Sequence, residues 1–501
     1  MRMNVRPLIR AALLVLLGVA AGPAAAQDEP PAEPPAGPSA ANDAGFAFYE
    51  KAAVRILKTA GAKVFEAGDT ARKWGLHQFA YEQAQRSLGF DPELKDARAY
   101  LGYEKKGEKW VLDAEAAGKV LKQNSKPQNQ SQETFDQLIE KWRTEHLKKA
   151  DEFVAAKYAD LGDECLAKGY PDQANKGWEY ALALDRDNAK ARKGLGFKKF
   201  GKVWLTEKQD KARKDAAKSV EVKEESAWDS FFGSKMNKVE SLHFRIESPY
   251  PVAELMDYAA AAETCYAYYL ADFARDPSED VLGGGRIQFV VMQAEDQWNK
   301  FVDAYGGMDK EFTRQMSGTG DGNLLHGIAS KAGSNPGGRK DHLVHQTVHD
   351  LNKFVWKIRG NHAWVDEGLA YYYTIKVLDT TSTHCVSLKK GNYEKPGDEG
   401  GIKAWDANAN WKSKIKDLVK AKNDVPLRTL VMQPITQLEF QASVKAWCIA
   451  TWFMDSDRDK WMETLAQFRD GGKPEPVLEG LWGKGLEELD DAWHAWVKKT
   501  Y

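Results

Sequence analysis

Cysteine is scarce and scattered. The four cysteines, Cys165, Cys265, Cys385 and Cys448, stand far apart in a chain of 501 residues, and no two of them have zinc-knuckle spacing. Disulfide bridges and buried free thiols both remain open to them. An excess of charge of one sign is also missing. With 71 Lys and Arg against 73 Asp and Glu, the formal net charge is −2, which argues against a nucleic-acid partner and against a general basic membrane patch. Beyond one N-terminal segment there is no apolar run of about 18 residues, so no stable membrane span is expected in the mature chain.

That N-terminal segment has its own logic. Residues 1–26 combine Arg2, Arg6 and Arg10 with an apolar run over 11–21 and Ala24-Ala25-Ala26 before Gln27. This is the pattern of a secretory signal peptide cleaved near Ala26. No cysteine follows the run, so a lipoprotein anchor is not indicated, and the mature chain is expected to be exported, periplasmic or extracellular. Residues 27–42 are rich in Pro and Ala and read as an extended linker. The remaining length exceeds a single typical core, so two or three domains are expected.

Residues 43–210 have helical patterning and repeat internally. The stretch 97–110, ARAYLGYEKKGEKW, corresponds to 191–204, ARKGLGFKKFGKVW, at an offset of ninety-four, and Gly75, Leu88 and Asp91 align with Gly169, Leu182 and Asp185. Small and aliphatic residues at Ala84, Leu88, Ala97 and Leu101, and at Ala174, Ala181, Ala191 and Leu195, resemble tetratricopeptide-type helical hairpins. The expectation is an N-terminal α-solenoid of two degenerate units with Trp110 and Trp204 as core plugs. Such a surface either binds a protein or peptide or only packs on itself. Residues 211–235 are densely charged and read as a connector.

Residues 236–501 begin with strand-like alternation over 243–248, a long helical pattern over 252–273 and a buried strand over 286–292 introduced by Gly283-Gly284-Gly285. That triple glycine lacks a following Lys and Ser/Thr and precedes a strand, so it is a turn and not a phosphate loop. The chemistry concentrates in residues 342–373, HLVHQTVHDLNKFVWKIRGNHAWVDEGLAYYY, where four of the chain's ten histidines fall by position 362. His345 and His349 are four apart in a helical pattern and share a helix face. A second helix after a polar break carries Glu367, which can complete a three-ligand set with one position open. His342 and His362 read as solvated helix-end histidines.

HxxxH followed by Trp364, Glu367, Gly368, Leu369, Ala370 and Tyr371 resembles the gluzincin branch of HExxH zinc metallopeptidases, the peptidase MA-like superfamily. The resemblance spans residues 236–501 and implies an α+β, mostly helical protein whose C-terminal part is a thermolysin-like zincin domain with a small mixed sheet. It implies zinc held by His345, His349 and Glu367. It also implies a sheet edge strand lining a substrate cleft, placed at 323–330 with His326 facing the cleft or solvent, a flexible hairpin being the alternative there, and an oxyanion donor at the start of a late helix, where this chain has Phe440. The general-base glutamate of the family is replaced by Gln346, an amide with no basic site near neutral pH. Loss of a general base typically lowers the rate by ~10²–10⁴. The expected function is therefore protein or peptide binding by a catalytically impaired metallopeptidase-like domain; the alternative is a zinc peptidase with an atypical base. Asp350 and Asp366 neighbour the ligand positions but point off the shared face.

Overall fold

Two stretches of the N-terminal region carry the same succession of helices and strands at the offset of the sequence repeat. The computed structural model describes residues 40–113, 115, 119–120, 132–307, 309–315, 318–320, 323–329, 336–358, 362–380 and 411–501. The expected signal peptide, most of the linker, Cys385 and the polar stretch 391–410 lie outside the described residues. Residues 49–501 form one unit, and of residues 1–48 the structure describes the opening turns of α1 (Ala40–Lys73).

In the first copy, α2 (His77–Phe90) and α3 (Lys95–Tyr100) lead into a hairpin of β1 (Tyr103–Lys106) and β2 (Lys109–Leu112). α4 (Gln132–Trp142) passes through one π-helical turn into α5 (Lys148–Ala167). The second copy then runs α6 (Pro171–Leu184), α7 (Ala189–Gly194), β3 (Phe197–Phe200) and β4 (Val203–Thr206). The start and end of every element keep the offset of the sequence repeat. Gly75 and Gly169, Gly102 and Gly196, and Gly107 and Gly201 take positive φ, the backbone region in which glycine carries no Cβ penalty. A hairpin closes each copy where the sequence showed only a Gly-Trp ending. Trp110 and Trp204 are half-exposed, not core plugs. They sit on short two-stranded hairpins, and the Arg98 and Arg192 guanidiniums each lie 5.6 Å from the indole of their own copy; a cation over the ring takes the place of burial.

The span 211–235 is more than a connector. It holds the end of α8 (Glu207–Ala216), β5 (Val220–Glu221) and α9 (Ala227–Phe232), and β5 pairs with β6 (Asn237–Glu240). The sheet therefore starts before residue 236. It continues through β7 (Phe244–Ser248), and after α10 (Val252–Asp272) through β8 (Ile287–Val291). α11 (Glu295–Tyr305) and α12 (Lys310–Gln315) precede β9 (Gly318–Gly320) and β10 (Leu325–Ile328). The spatial order is β5-β6-β7-β8-β10-β9, parallel from β7 through β8 to β10 and antiparallel at both ends. Side chains alternate as the pleat requires. Ile287, Phe289 and Val291 face the main core, whereas Val290 packs with Trp228, Phe232, Trp298 and Phe301 on the other side. β10 is not the edge that the sequence suggested, because the short glycine-flanked β9 pairs outside it.

Eight helices follow among the described residues: α13 (Pro336–Trp356), α14 (Ala363–Leu378), α15 (Trp411–Ala421), α16 (Leu427–Met432), α17 (Phe440–Ser456), α18 (Arg458–Arg469), α19 (Pro474–Trp482) and α20 (Leu486–Thr500). None of the described helices is long and apolar enough to cross a membrane. Cys165, Cys265 and Cys448 are buried free thiols, and burial pushes all three up from the ordinary thiol range. The repeats grip the start of α18: Arg186 pairs with Asp459 at 2.6 Å, Lys460 with Glu140 at 2.8 Å, and Lys148 donates to the Ser456 carbonyl at 3.1 Å.

The crossing of α14 and α17 is set by one residue. A Cβ built on Gly368 would lie 2.6 Å from the Ala446 carbonyl oxygen, a backbone atom that cannot swing aside. Gly368→Ala gains about 1 kcal/mol of helix propensity but must open this contact, an overpacking penalty of about 1–3 kcal/mol. The overpacking term wins. A fall in urea midpoint with unchanged slope is the expected result, and an unchanged or raised midpoint would contradict the packing account.

Candidate metal centre

α13 lies inside the domain, against α10, α14 and the sheet, and its apolar positions Leu343, Val344, Val348 and Leu351 are fully buried. A helix in such a place should carry few polar groups, because burying one without a partner costs about 1–3 kcal/mol by mutational measures. Instead Arg339, Asp341, His342, His345, Thr347, Asp350 and Asn352 are all buried on it. Polar side chains are thus concentrated on the one helix at the centre of the core.

His345 is 0 % exposed and Glu367 1 % exposed, while His349 opens slightly to one side with 16 % of its side chain accessible. One ligand atom from each of the three lies within 4.8 Å of the other two. His345 Nε2 is 3.3 Å from Glu367 Oε2, and His349 Nε2 is 3.5 Å from Glu367 Oε1. These separations exceed the ~2.8 Å of a charge-assisted hydrogen bond. Each is close to the about 3.3 Å between two ligand atoms of a tetrahedral cation with bonds of about 2.0–2.1 Å, and the two run to different oxygens of the carboxylate. The donor set of two imidazoles and one carboxylate fits a tetrahedral divalent ion, and the accessible side of His349 leaves an approach to a fourth position.

The surroundings hold the ligands in place. Asp366 Oδ1 lies 3.0 Å from His349 Nδ1 and accepts from Asn352 Nδ2 at 2.8 Å, and the Tyr269 hydroxyl donates to Asn352 Oδ1 at 2.6 Å. Asp366 lies against the Nδ1 side of the His349 ring and leaves Nε2 on the side of Glu367, the arrangement in which a carboxylate orients a metal-binding imidazole. Burial pushes the Glu367 carboxyl up from its ordinary range, against the opposing pull of His349 and of the neighbouring Tyr371 hydroxyl. A bound cation would keep it ionised. The Tyr371 ring is 4.6 Å from His345 and 4.9 Å from Trp411, and the Trp411 ring is 5.9 Å from Phe440. Phe440 thus opens α17 three ring contacts away from His345 and brings no hydrogen-bond donor.

Several expectations change here. His342 and His362 are not solvated helix-end histidines. His342 is fully buried, directly under β9, where a Cβ on Gly318 would come within 2.4 Å of its Nε2. His362 is buried and stacked on Phe468 at 4.3 Å, and burial lowers its basicity. His326 faces inward from β10, its Nε2 2.7 Å from Asp350 Oδ2. Sequence reasoning dismissed Asp366 and Asp350 as misdirected neighbours. Each does point off the ligand face, but each meets a histidine there. The only available signal for Asp366 was a carboxylate directly before the ligand glutamate.

A second group, Asp424, Asp490 and His494, also converges. Its centre is filled by Lys445, which is 0 % exposed and pairs with Asp424 at 2.7 Å and with Asp490 at 2.5 Å. Burial works to raise the Asp424 carboxyl, yet Lys445 and His494 hold it below the ordinary range. This group is an internal ion cluster, already supplied with its cation.

Removing the support of His349 tests the site. Asp366→Ala should weaken divalent-metal affinity by ~10–100-fold, read by competition with a chromophoric chelator; unchanged affinity would contradict the orienting role. Comparison of the chain with protein-family models, with curated proteins and with solved structures finds no match.

Proposed function

We propose that this is an exported, zinc-holding protein of gluzincin-like descent that binds a protein or peptide and lacks ordinary peptidase activity. The observation that carries the reading is the buried His345, His349 and Glu367 set at tetrahedral-edge spacing, beside an amide at position 346. The resemblance of HQTVH and WVDEGLAYYY to the gluzincin pattern agrees with it, as does the repeat region, which resembles tetratricopeptide hairpins and offers a second binding surface.

Zinc in this site would act as a Lewis acid toward an oxygen ligand in the open position. His349 would be held for the ion by Asp366, and Tyr371 would steady Glu367. Gln346 carries no basic site, so it can hydrogen-bond a ligand oxygen but takes no proton from it. A pseudoenzyme that keeps its metal and recognises a polypeptide follows from those parts.

One observation favours a second reading, hydrolysis with an atypical base. His326 and Asp350 form a part-buried imidazole–carboxylate pair at 2.7 Å, and Asp350 lies on α13 one turn beyond Gln346. In that reading the pair would accept the proton that Gln346 cannot.

The purified mature chain should carry about one zinc after dialysis without chelator, measured by mass spectrometry, and His345→Ala/His349→Ala should lose it. No metal in the wild type under zinc-replete conditions would sink the reading. Gln346→Glu should raise peptide hydrolysis by ~10²-fold or more over a near-silent wild type. A wild type that already cleaves, loses activity with chelator and gains nothing from Gln346→Glu would favour the second reading.

A further inference from the structure

The replacement at position 346 does more than remove a base. Gln346 lies on α13 between buried His345 and buried Thr347 and is itself half-exposed. It is three residues before His349, the spacing that makes helix side chains neighbours, so it borders the accessible side of the ligand set. The carboxylates around this spot each face an imidazole: Glu367 faces His345 and His349, Asp366 faces His349, and Asp350 is hydrogen-bonded to His326. His342, Gln346 and Asp350 form one stripe of α13 at i, i+4 and i+8. The two ends of that stripe are covered, His342 by β9 at Gly318 and Asp350 by His326 of β10. The middle of the stripe, at Gln346, is the accessible part.

A glutamate in this position would repel an anion arriving at the metal. A glutamine removes that charge and adds two N–H donors. Hydrogen bonds to a charged acceptor are the strong ones. We infer that the site binds a carboxylate group of its polypeptide ligand, with Gln346 donating to that carboxylate while it occupies the open metal position. The inference rests on the metal-holding reading above and names the ligand group which that reading leaves open. The carboxylate comes either from a chain terminus or from an Asp or Glu side chain.

The test uses the full mature chain loaded with cobalt(II), whose visible absorption reports the ligands of the ion. Three probes are titrated: N-acetyl-Ala-Ala with a free C-terminus, its C-terminal amide, and N-acetyl-Asp-Ala-amide, whose only carboxylate is on a side chain. Saturable change in the cobalt spectrum with at least one carboxylate probe and none with the simple amide is expected, and the tighter of the two acids identifies the source. Gln346→Glu should raise the Kd of that acid by at least ~10-fold, since a tenfold change corresponds to the loss of about one hydrogen bond to a charged group. Gln346→Ala should raise it less, because it loses the donor without adding a charge. Equal response to acid and amide, or equal affinity in wild type and Gln346→Glu, overturns the inference. Cobalt uptake without response to either acid overturns it while leaving the metal reading intact, and failure to take up cobalt overturns both.

Discussion

Two imidazoles on one helix, that of His345 fully buried, face a buried carboxylate on the next, and much of the C-terminal architecture is arranged around that pairing. His345 and Glu367 are almost wholly withdrawn from water, so neither charge nor hydrogen-bonding capacity can be satisfied by solvent. The helices that carry them must then be held at fixed spacing. α13 is pinned at its start by Arg339, which bonds Glu254 at 2.7 Å and Tyr258 at 3.0 Å. α14 is held against α17 through the missing side chain of Gly368. Between the two helices, the Tyr269, Asn352 and Asp366 chain fixes the orientation of His349. A site supported from three sides is preorganised, and preorganisation is what allows a metal to be held without rearrangement.

The same helices tie the site to the rest of the chain. α18 meets the repeats at its first turn through Asp459 and Lys460. Its other face places Trp461 against Trp364, at 6.1 Å, and Phe468 against His362 at the entrance to α14. The repeats and the candidate site therefore share one neighbour. Polar contacts make the outer side of this junction and aromatic packing makes the inner side, as expected where a solvent-facing seam meets a core.

The convergence of His345, His349 and Glu367 was legible in the sequence because helical spacing alone puts residues i and i+4 on one face, and the run around Glu367 gave a second helix to oppose them. The repeat was legible for a similar reason: matched residues at a constant offset survive whatever local structure they adopt. What the repeat could not disclose was its two hairpins, since YEKKGEKW and FKKFGKVW are too polar and too short to show strand alternation. The inward turn of His326, and the placement of β9 outside β10, were hidden because strand order depends on long-range pairing that no local pattern encodes. Asp366 was missed through a correct rule used too narrowly. A neighbour on a helix does point away from the shared face, but in a helix buried on all sides another partner waits there. His342 and His362 show the same error, with burial supplied by elements remote in sequence.

The most direct test of the account is anomalous diffraction at the zinc edge from crystals of the mature chain grown with zinc. The account predicts one peak bonded by His345 Nε2, His349 Nε2 and a Glu367 oxygen at about 2.0–2.1 Å, with a non-protein atom in the fourth position. A peak at Asp424, Asp490 and His494 instead, or zinc bound only by exposed carboxylates with His345 and His349 bonded elsewhere, would contradict it.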